Sequence, residues 1–162
     1  MNRFEKVSYN QYLEAIGGDI DLFDEYNDII IPKRATTGSA GYDFFAPFTF
    51  TLNPNETIKI PTGIRVILDS DKFLAIYPRS GLGFKFRLQL DNTVGIIDSD
   101  YCNSDNEGHI FIKITNDGHE GKSITINKGD GIAQGIITQF FKTDDDNSEG
   151  IRNGGFGSTT KK

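Results

Sequence analysis

Tryptophan is absent from this chain, cysteine and methionine occur once each, and proline only five times. The single Cys102 excludes an intrachain disulfide, and with two scattered histidines it leaves no Cys/His set for a metal. Positive charge is also short: 17 Lys and Arg against 23 Asp and Glu give a net charge of −6. That balance argues against a basic nucleic-acid footprint, so an anionic ligand needs local rather than global attraction. No apolar run approaches the roughly 18 residues of a membrane-spanning helix, and no signal peptide opens the chain. The expectation is a protein of a reducing cytoplasm that binds neither nucleic acid nor membrane. No Walker A pattern occurs, and no G-x-G-x-x-G sits between a strand and a helix, so the usual nucleotide folds are not supported.

What is present points to short strands and turns. The 18 glycines exceed average usage, phenylalanine is plentiful at 13, and 162 residues suffice for one domain with a real core. Residues 1–27 read as an appended helical extension. Ser8 and Gln11 have capping-box spacing, Tyr12, Leu13 and Ile16 recur at helical intervals, and Gly17-Gly18 supplies a stop. The acidic stretch from Asp19 to Asp28 reads as a solvated connector.

From Asp28 the period changes. Strands are expected at Ile29 to Ile31, Phe48 to Leu52, Thr57 to Ile60, Gly63 to Leu68 and Phe73 to Tyr77. Further ones are expected at Phe86 to Leu90, Ile110 to Ile114, Ile124 to Ile126 and Ile132 to Phe141. Strands of this length, with Gly, Pro, Asn and Asp between them and no intervening helices, indicate an all-β antiparallel sandwich, jelly roll or barrel over residues 28–142. Residues 143–162 turn polar and glycine-rich and read as a flexible C-terminal arm.

The stretch from Asn92 to Tyr101 is strand followed by chemistry. Val94, Ile96 and Ile97 favour extended backbone, and Gly95 leaves a position where another group could approach the main chain. Asp98 and Asp100 point to one side of an extended continuation, although acidic residues at a strand end are commonly solvated turn formers. Three other stretches place polar groups where strands end: Ala40-Gly-Tyr-Asp43, Pro78-Arg-Ser-Gly81 and Gly129 to Gln134. Each has an ordinary structural reading. Asp43 could cap a turn, Arg79 could pair with a surface acid, and Gln134 could be an exposed strand residue. In the arm, Gly154-Gly-Phe-Gly-Ser-Thr159 offers backbone and hydroxyl donors that can wrap phosphate oxygens, with a ring that could cover a base.

In this order, these stretches and Gly95-Ile-Ile-Asp-Ser-Asp-Tyr101 resemble the five motifs of the trimeric dUTP pyrophosphatase (dUTPase) family, across roughly residues 29–160. The resemblance implies a jelly-roll (β-clip) homotrimer that hydrolyses dUTP to dUMP and pyrophosphate with Mg²⁺. Such an activity limits uracil incorporation into DNA and supplies dUMP for dTMP synthesis. It implies that Asp98 holds and deprotonates the attacking water, and that Arg79, Ser80, Gly81 and Gln134 serve the phosphates. Asn92 and the backbone at Gly95 would read uracil, and the Tyr101 ring would exclude a ribose 2′-hydroxyl. Phe156 would stack on the base while Gly157, Ser158 and Thr159 hold the γ-phosphate end. Mg²⁺ would ride on the triphosphate with no direct protein ligand, and Asp43 would orient water or a basic neighbour. Each active site would draw on three chains, with the arm closing as a lid.

The chain departs from the family pattern in four places. Cys102 to Glu107 lengthens the hairpin tip before Gly108, Gly131 and Ile151 stand where arginines are usual, and residues 1–27 have no counterpart. Arg152, one residue after Ile151, could stand in for the tail arginine. Two rival readings are a dCTP deaminase-related enzyme and a non-catalytic jelly-roll interaction module.

Overall fold

A computed structural model describes residues 1–18 and 21–155 of the chain. Strand β1 (Arg3–Lys6) comes first, followed by helices α1 (Tyr9–Ile16) and α2 (Phe23–Asn27). Then come β2 (Lys33–Arg34), β3 (Tyr42–Phe45), β4 (Phe50–Leu52), β5 (Thr57–Pro61), β6 (Ile64–Ile67) and β7 (Lys72–Pro78). Helix α3 (Ser80–Phe86) separates β7 from β8 (Leu88–Leu90) and β9 (Gly95–Asp98). A 3₁₀ turn (Tyr101–Asn103) leads to β10 (Phe111–Asn116), β11 (Ile124–Ile126) and β12 (Gly131–Gln139).

Every strand pair is antiparallel. The largest sheet runs β2-β3-β12-β7-β9, and β5-β10-β8, β1-β6 and β11-β4 complete the wrap. This is the all-β jelly-roll class that the short alternating segments indicate. Period-two alternation places Ile112 and Ile114 of β10 inside while Lys113 faces out. The central β7, flanked by strands on both edges, turns Leu74 and Ile76 into the core and buries the small Ala75 between them.

Several elements differ from the sequence expectation. The amino-terminal segment is more than a helix: β1 pairs with β6 in the register Arg3↔Ile67 to Lys6↔Ile64. Helix α1 starts and stops as read, with the Ser8 hydroxyl accepting from the Gln11 N–H at 3.2 Å and the Gly17 N–H reaching Leu13 and Glu14 carbonyls. The acidic connector contains α2, held because the Tyr26 hydroxyl donates to the Val7 carbonyl at 2.6 Å and Phe23 packs edge-on against Tyr9. The apolar run Ile29 to Ile31 is not a strand; Ile29 is buried in the core without joining a ladder, and Pro32 has no N–H to offer one. Helix α3 shortens the expected strand at Phe86, since Leu82 and Phe86, four residues apart on one helix face, both pack on the core.

Candidate functional site

Strand β9 delivers the acidic end of the Asn92 to Tyr101 stretch. It lies beside β7 with Gly95 opposite Ile76 and Asp98 opposite Phe73. A Cβ at Gly95 would come 3.2 Å from that of Ile76 and 3.6 Å from the Asn92 amide nitrogen, so both approach this backbone closely. The strand ends at Asp98, and the chain tightens into the 3₁₀ turn that begins at Tyr101. A cavity of about 640 Å³ opens here, lined by Asn92, Gly95, Asp98, Tyr101, Arg152 and Gly155 among others. Its volume falls in the range typical of small-molecule sites.

Tyr101 is 4% exposed and its hydroxyl is fully engaged. It donates to the His109 carbonyl at 2.9 Å and accepts from the Asn106 side-chain amide at 2.8 Å. Burial pushes the phenol above its ordinary pKa, so it stays neutral and keeps its proton for the carbonyl. Lys59 and Lys113 supply positive charge at the same cavity. The Lys59 ammonium stands 4.4 Å above the Phe111 ring, and that of Lys113 lies 3.0 Å from Asp91.

The arm reaches this cavity. The Arg152 guanidinium pairs with Asp98 through Oδ2 and with Asp100 at 2.8 Å, so both carboxylates share one cation. Asn153 exchanges hydrogen bonds with Asp105, donating to its carboxylate at 2.9 Å and accepting from its N–H at 3.2 Å. Gly155 lies so close to Tyr101 that a Cβ there would meet the ring at 2.8 Å. Phe156, Gly157, Ser158 and Thr159 lie outside the described residues.

A second group of expected site residues stands elsewhere. Asp43 on β3 lies 3.2 Å from the Arg79 guanidinium, an acid beside a basic neighbour. Gln134 sits opposite both Asp43 and Tyr77, with its side-chain amide donating to the Pro78 carbonyl at 3.0 Å. Arg79, Ser80 and Gly81 line a separate concavity of about 450 Å³ with Lys85 and Gly131. A Cβ at Gly131 would come within 2.2 Å of the Arg79 guanidinium, so glycine is what lets Arg79 lie there.

Asp98 and Arg79 lie toward opposite ends of β7, with Gly95 opposite Ile76 between them. Phe73, near its start, is opposite Asp98, whereas Arg79 immediately follows its last residue. Six strand residues at about 3.3 Å each separate them by roughly 20 Å. The structure therefore brings Asn92, Gly95, Asp98, Tyr101 and Arg152 together, and separately Asp43, Arg79, Ser80, Gly81 and Gln134. Sequence reasoning missed Asn106, which lies in the hairpin-tip departure, and the cavity lysines, which alternate out of strands like any solvated residue. Among the described residues no group of three His, Cys, Asp or Glu side chains is arranged to hold a metal, and no helix is long and apolar enough to cross a membrane.

Fold and site together define a class: a jelly-roll enzyme with a strand-end carboxylate beside a nucleoside-sized cavity. The dUTPase family model matches residues 27–160. The deoxyuridine 5′-triphosphate nucleotidohydrolase of Lactococcus lactis subsp. lactis is 44% identical over 134 residues, covering 81% of this chain and 88% of the relative. That of Hahella chejuensis is 43% identical over 147 residues, covering 84% and 90%. The crystal structure of a dUTPase from Streptococcus mutans superposes with a TM-score of 0.68 at 28% identity, covering 88% of this chain and 98% of that one. A dUTPase from phage phi11 of S. aureus, described as coordinating a structural Mg(II) ion, shares the fold with a TM-score of 0.66 at 21% identity, covering 93% and 97%. This chain belongs to the dUTPase family.

Proposed function

We infer that this chain hydrolyses dUTP to dUMP and pyrophosphate, and that Asp98 is its catalytic base. The observation that carries the reading is the Asp98 carboxylate at the end of β9, on the same cavity as Asn92, Gly95 and Tyr101. Water attacking the α-phosphorus needs a group that positions it and takes its proton, and a carboxylate beside the phosphate chain does both. Arg152 engages Oδ2 of Asp98, so a water held on this carboxylate would use Oδ1. Phosphoryl chemistry otherwise depends on holding the chain in line and neutralising its charge. Arg79, with Asp43 to orient it and Ser80, Gly81 and Gln134 beside it, is suited to that task.

Base selection rests on Asn92 and the close-packed backbone of Gly95. A rigid wall excludes the extra methyl of thymine better than an apolar pocket, which distinguishes a methylene by only about 1–3 kcal/mol. In this reading Tyr101, with its ring buried and its hydroxyl tied at the far end, excludes a ribose 2′-hydroxyl. Mg²⁺ prefers oxygen ligands and retains waters, so substrate phosphates would hold it and it would supply charge neutralisation. The donors of this chain fit that arrangement, because the Asp98 and Asp100 carboxylates are already engaged by Arg152.

The separation of Arg79 from Asp98 along β7 supports a homotrimer in which one subunit's Asp98 cavity meets another's Arg79 pocket. In this reading Phe156 to Thr159 close over the base and phosphates from the arm. A cytoplasmic setting belongs to the same proposal, since one cysteine calls for no oxidising compartment. Family membership favours this hydrolase over the deaminase and the non-catalytic module. Pyrophosphate release from dUTP, dTTP, dCTP and UTP, with and without Mg²⁺, tests the reading. Release confined largely to dUTP and stimulated by Mg²⁺ is expected. No release from dUTP, or ammonia release from dCTP, would overturn it.

A further inference from the structure

We propose that Asn106 is a positioning residue for Tyr101 and thereby sets how strongly the enzyme rejects ribonucleotides. The proposal rests on Tyr101 being the sugar-facing group of a dUTP site. Asn106 belongs to the Cys102 to Glu107 tip, the segment that departs from the family pattern. That tip folds back on the 3₁₀ turn: Gly108, at φ +74°, packs so tightly that a Cβ would meet the Cys102 Cα at 2.6 Å. The return carries the Asn106 side chain to the phenol.

Both ends of the Asn106 amide are used. Its nitrogen donates to the Tyr101 hydroxyl at 2.8 Å, and its Oδ1 accepts from the Gly108 N–H at 3.1 Å. Its own carbonyl accepts from the His109 N–H at 3.0 Å, and the His109 carbonyl is in turn the group to which Tyr101 donates, at 2.9 Å. One residue therefore holds the phenol directly and also fixes the backbone acceptor on the phenol's other side. The hydroxyl is the outer end of a lever whose inner part is the ring. Tying that end by two hydrogen bonds removes the swing by which the ring could make room for a 2′-hydroxyl.

A residue that only stabilised the hairpin would change stability without changing discrimination between sugars. The measurement is therefore the ratio of kcat/KM for dUTP to that for UTP, in the full-length protein. Asn106→Ala is expected to lower this ratio by about tenfold, the scale of one well-made hydrogen bond, through a gain on UTP relative to dUTP. Tyr101→Phe removes that hydrogen bond and the one to the His109 carbonyl, and is expected to lower the ratio at least as much. In the Tyr101→Phe background, Asn106→Ala should then add little. An unchanged ratio in Asn106→Ala, or an undiminished effect of it in the Tyr101→Phe background, would overturn the proposal. If Asn106→Ala does not fold, Tyr101→Phe alone decides, since an unchanged ratio there overturns it as well. Wild-type protein without dUTP hydrolysis would instead defeat the functional reading beneath it.

Discussion

The two ends of the chain are attached to the same β domain by different physics. At the amino end, β1 adds a strand beside β6, and Val7 and Tyr12 enter the main core at 1% and 0% exposure. The Tyr12 hydroxyl donates to Glu25 at 2.6 Å, and the Lys6 ammonium donates to the Tyr26 and Asn27 carbonyls. At the carboxyl end no strand follows Gln139 among the described residues, and Phe141 and Ile151 stand 86% and 98% exposed. Arg152 and Asn153 hold the arm by polar pairs to Asp98, Asp100 and Asp105. Burial of apolar surface is stabilising whatever ligand is present, whereas ion pairs whose carboxylates stay in solvent, as those of Asp98 and Asp100 do, contribute little and are screened by salt. The amino-terminal segment is thus built as part of the fold. The arm is held by polar pairs to three carboxylates.

The hairpin tip joins the two ends. Glu107 accepts from the Ser8 N–H and hydroxyl at 2.8 and 2.6 Å, at the start of α1, while Asp105 two residues earlier grips Asn153 of the arm. Burial alone would raise the Glu107 carboxyl, but the Ser8 hydrogen bonds together with the charge of Arg65 hold the group below its usual range.

The largest effect that sharpens this contrast is on stability. Tyr12→Ala empties a fully buried site and should destabilise the fold by about 3–5 kcal/mol in chemical denaturation. A loss below about 1 kcal/mol would make the amino-terminal segment a loose appendage after all. The second effect depends on pH. His109 is fully buried, its Nε2 accepts from the Gly63 N–H at 2.9 Å, and burial pulls its pKa from 6.5 down to about 4. In the unfolded chain the ring protonates near 6.5. The stabilisation is therefore complete above that pH and is lost as pH falls toward 4, by about 3 kcal/mol in all. His109→Gln should flatten that part of the pH–stability curve, and a wild-type curve parallel to the variant's would refute the assignment. The third effect falls on activity. Deleting residues 150–162 should lower kcat/KM for dUTP by about 10²-fold, the scale of lost substrate positioning, while leaving the melting temperature within a degree or two. A truncated protein with full activity, or one that melts much earlier, would erase the difference between the two ends.

Legibility in the sequence followed the same division. Strands such as β7, β10 and β12 could be read because their isoleucines, with Leu74 and the phenylalanines, mark a sheet packed on a core. β1 could not, because Phe4 is the only apolar residue among Arg3, Glu5 and Lys6, and its place is fixed by pairing with β6. α3 was hidden by Gly81 and Gly83, which weaken helix propensity, and only the packing of Leu82 and Phe86 on the core reveals why it forms. At the site, the Asp43–Arg79 pair was foreshadowed by the expectation of an acid beside a basic neighbour. The grip of Arg152 on Asp98 was not, because the partners lie far apart in sequence and the arm carries no periodic pattern. Motif resemblance singled out both Arg79 and Asp98, but their separation by roughly 20 Å along β7 follows only from the register that sets Asp98 opposite Phe73.

The most direct test is the turnover of the Asp98→Asn protein with dUTP and Mg²⁺, measured beside substrate binding. A positioned base contributes about 10²–10⁴-fold, so kcat should fall by that factor while dUTP still binds. If the variant kept most of the wild-type kcat, Asp98 would not be the base and the assignment of this cavity as the reaction centre would fail.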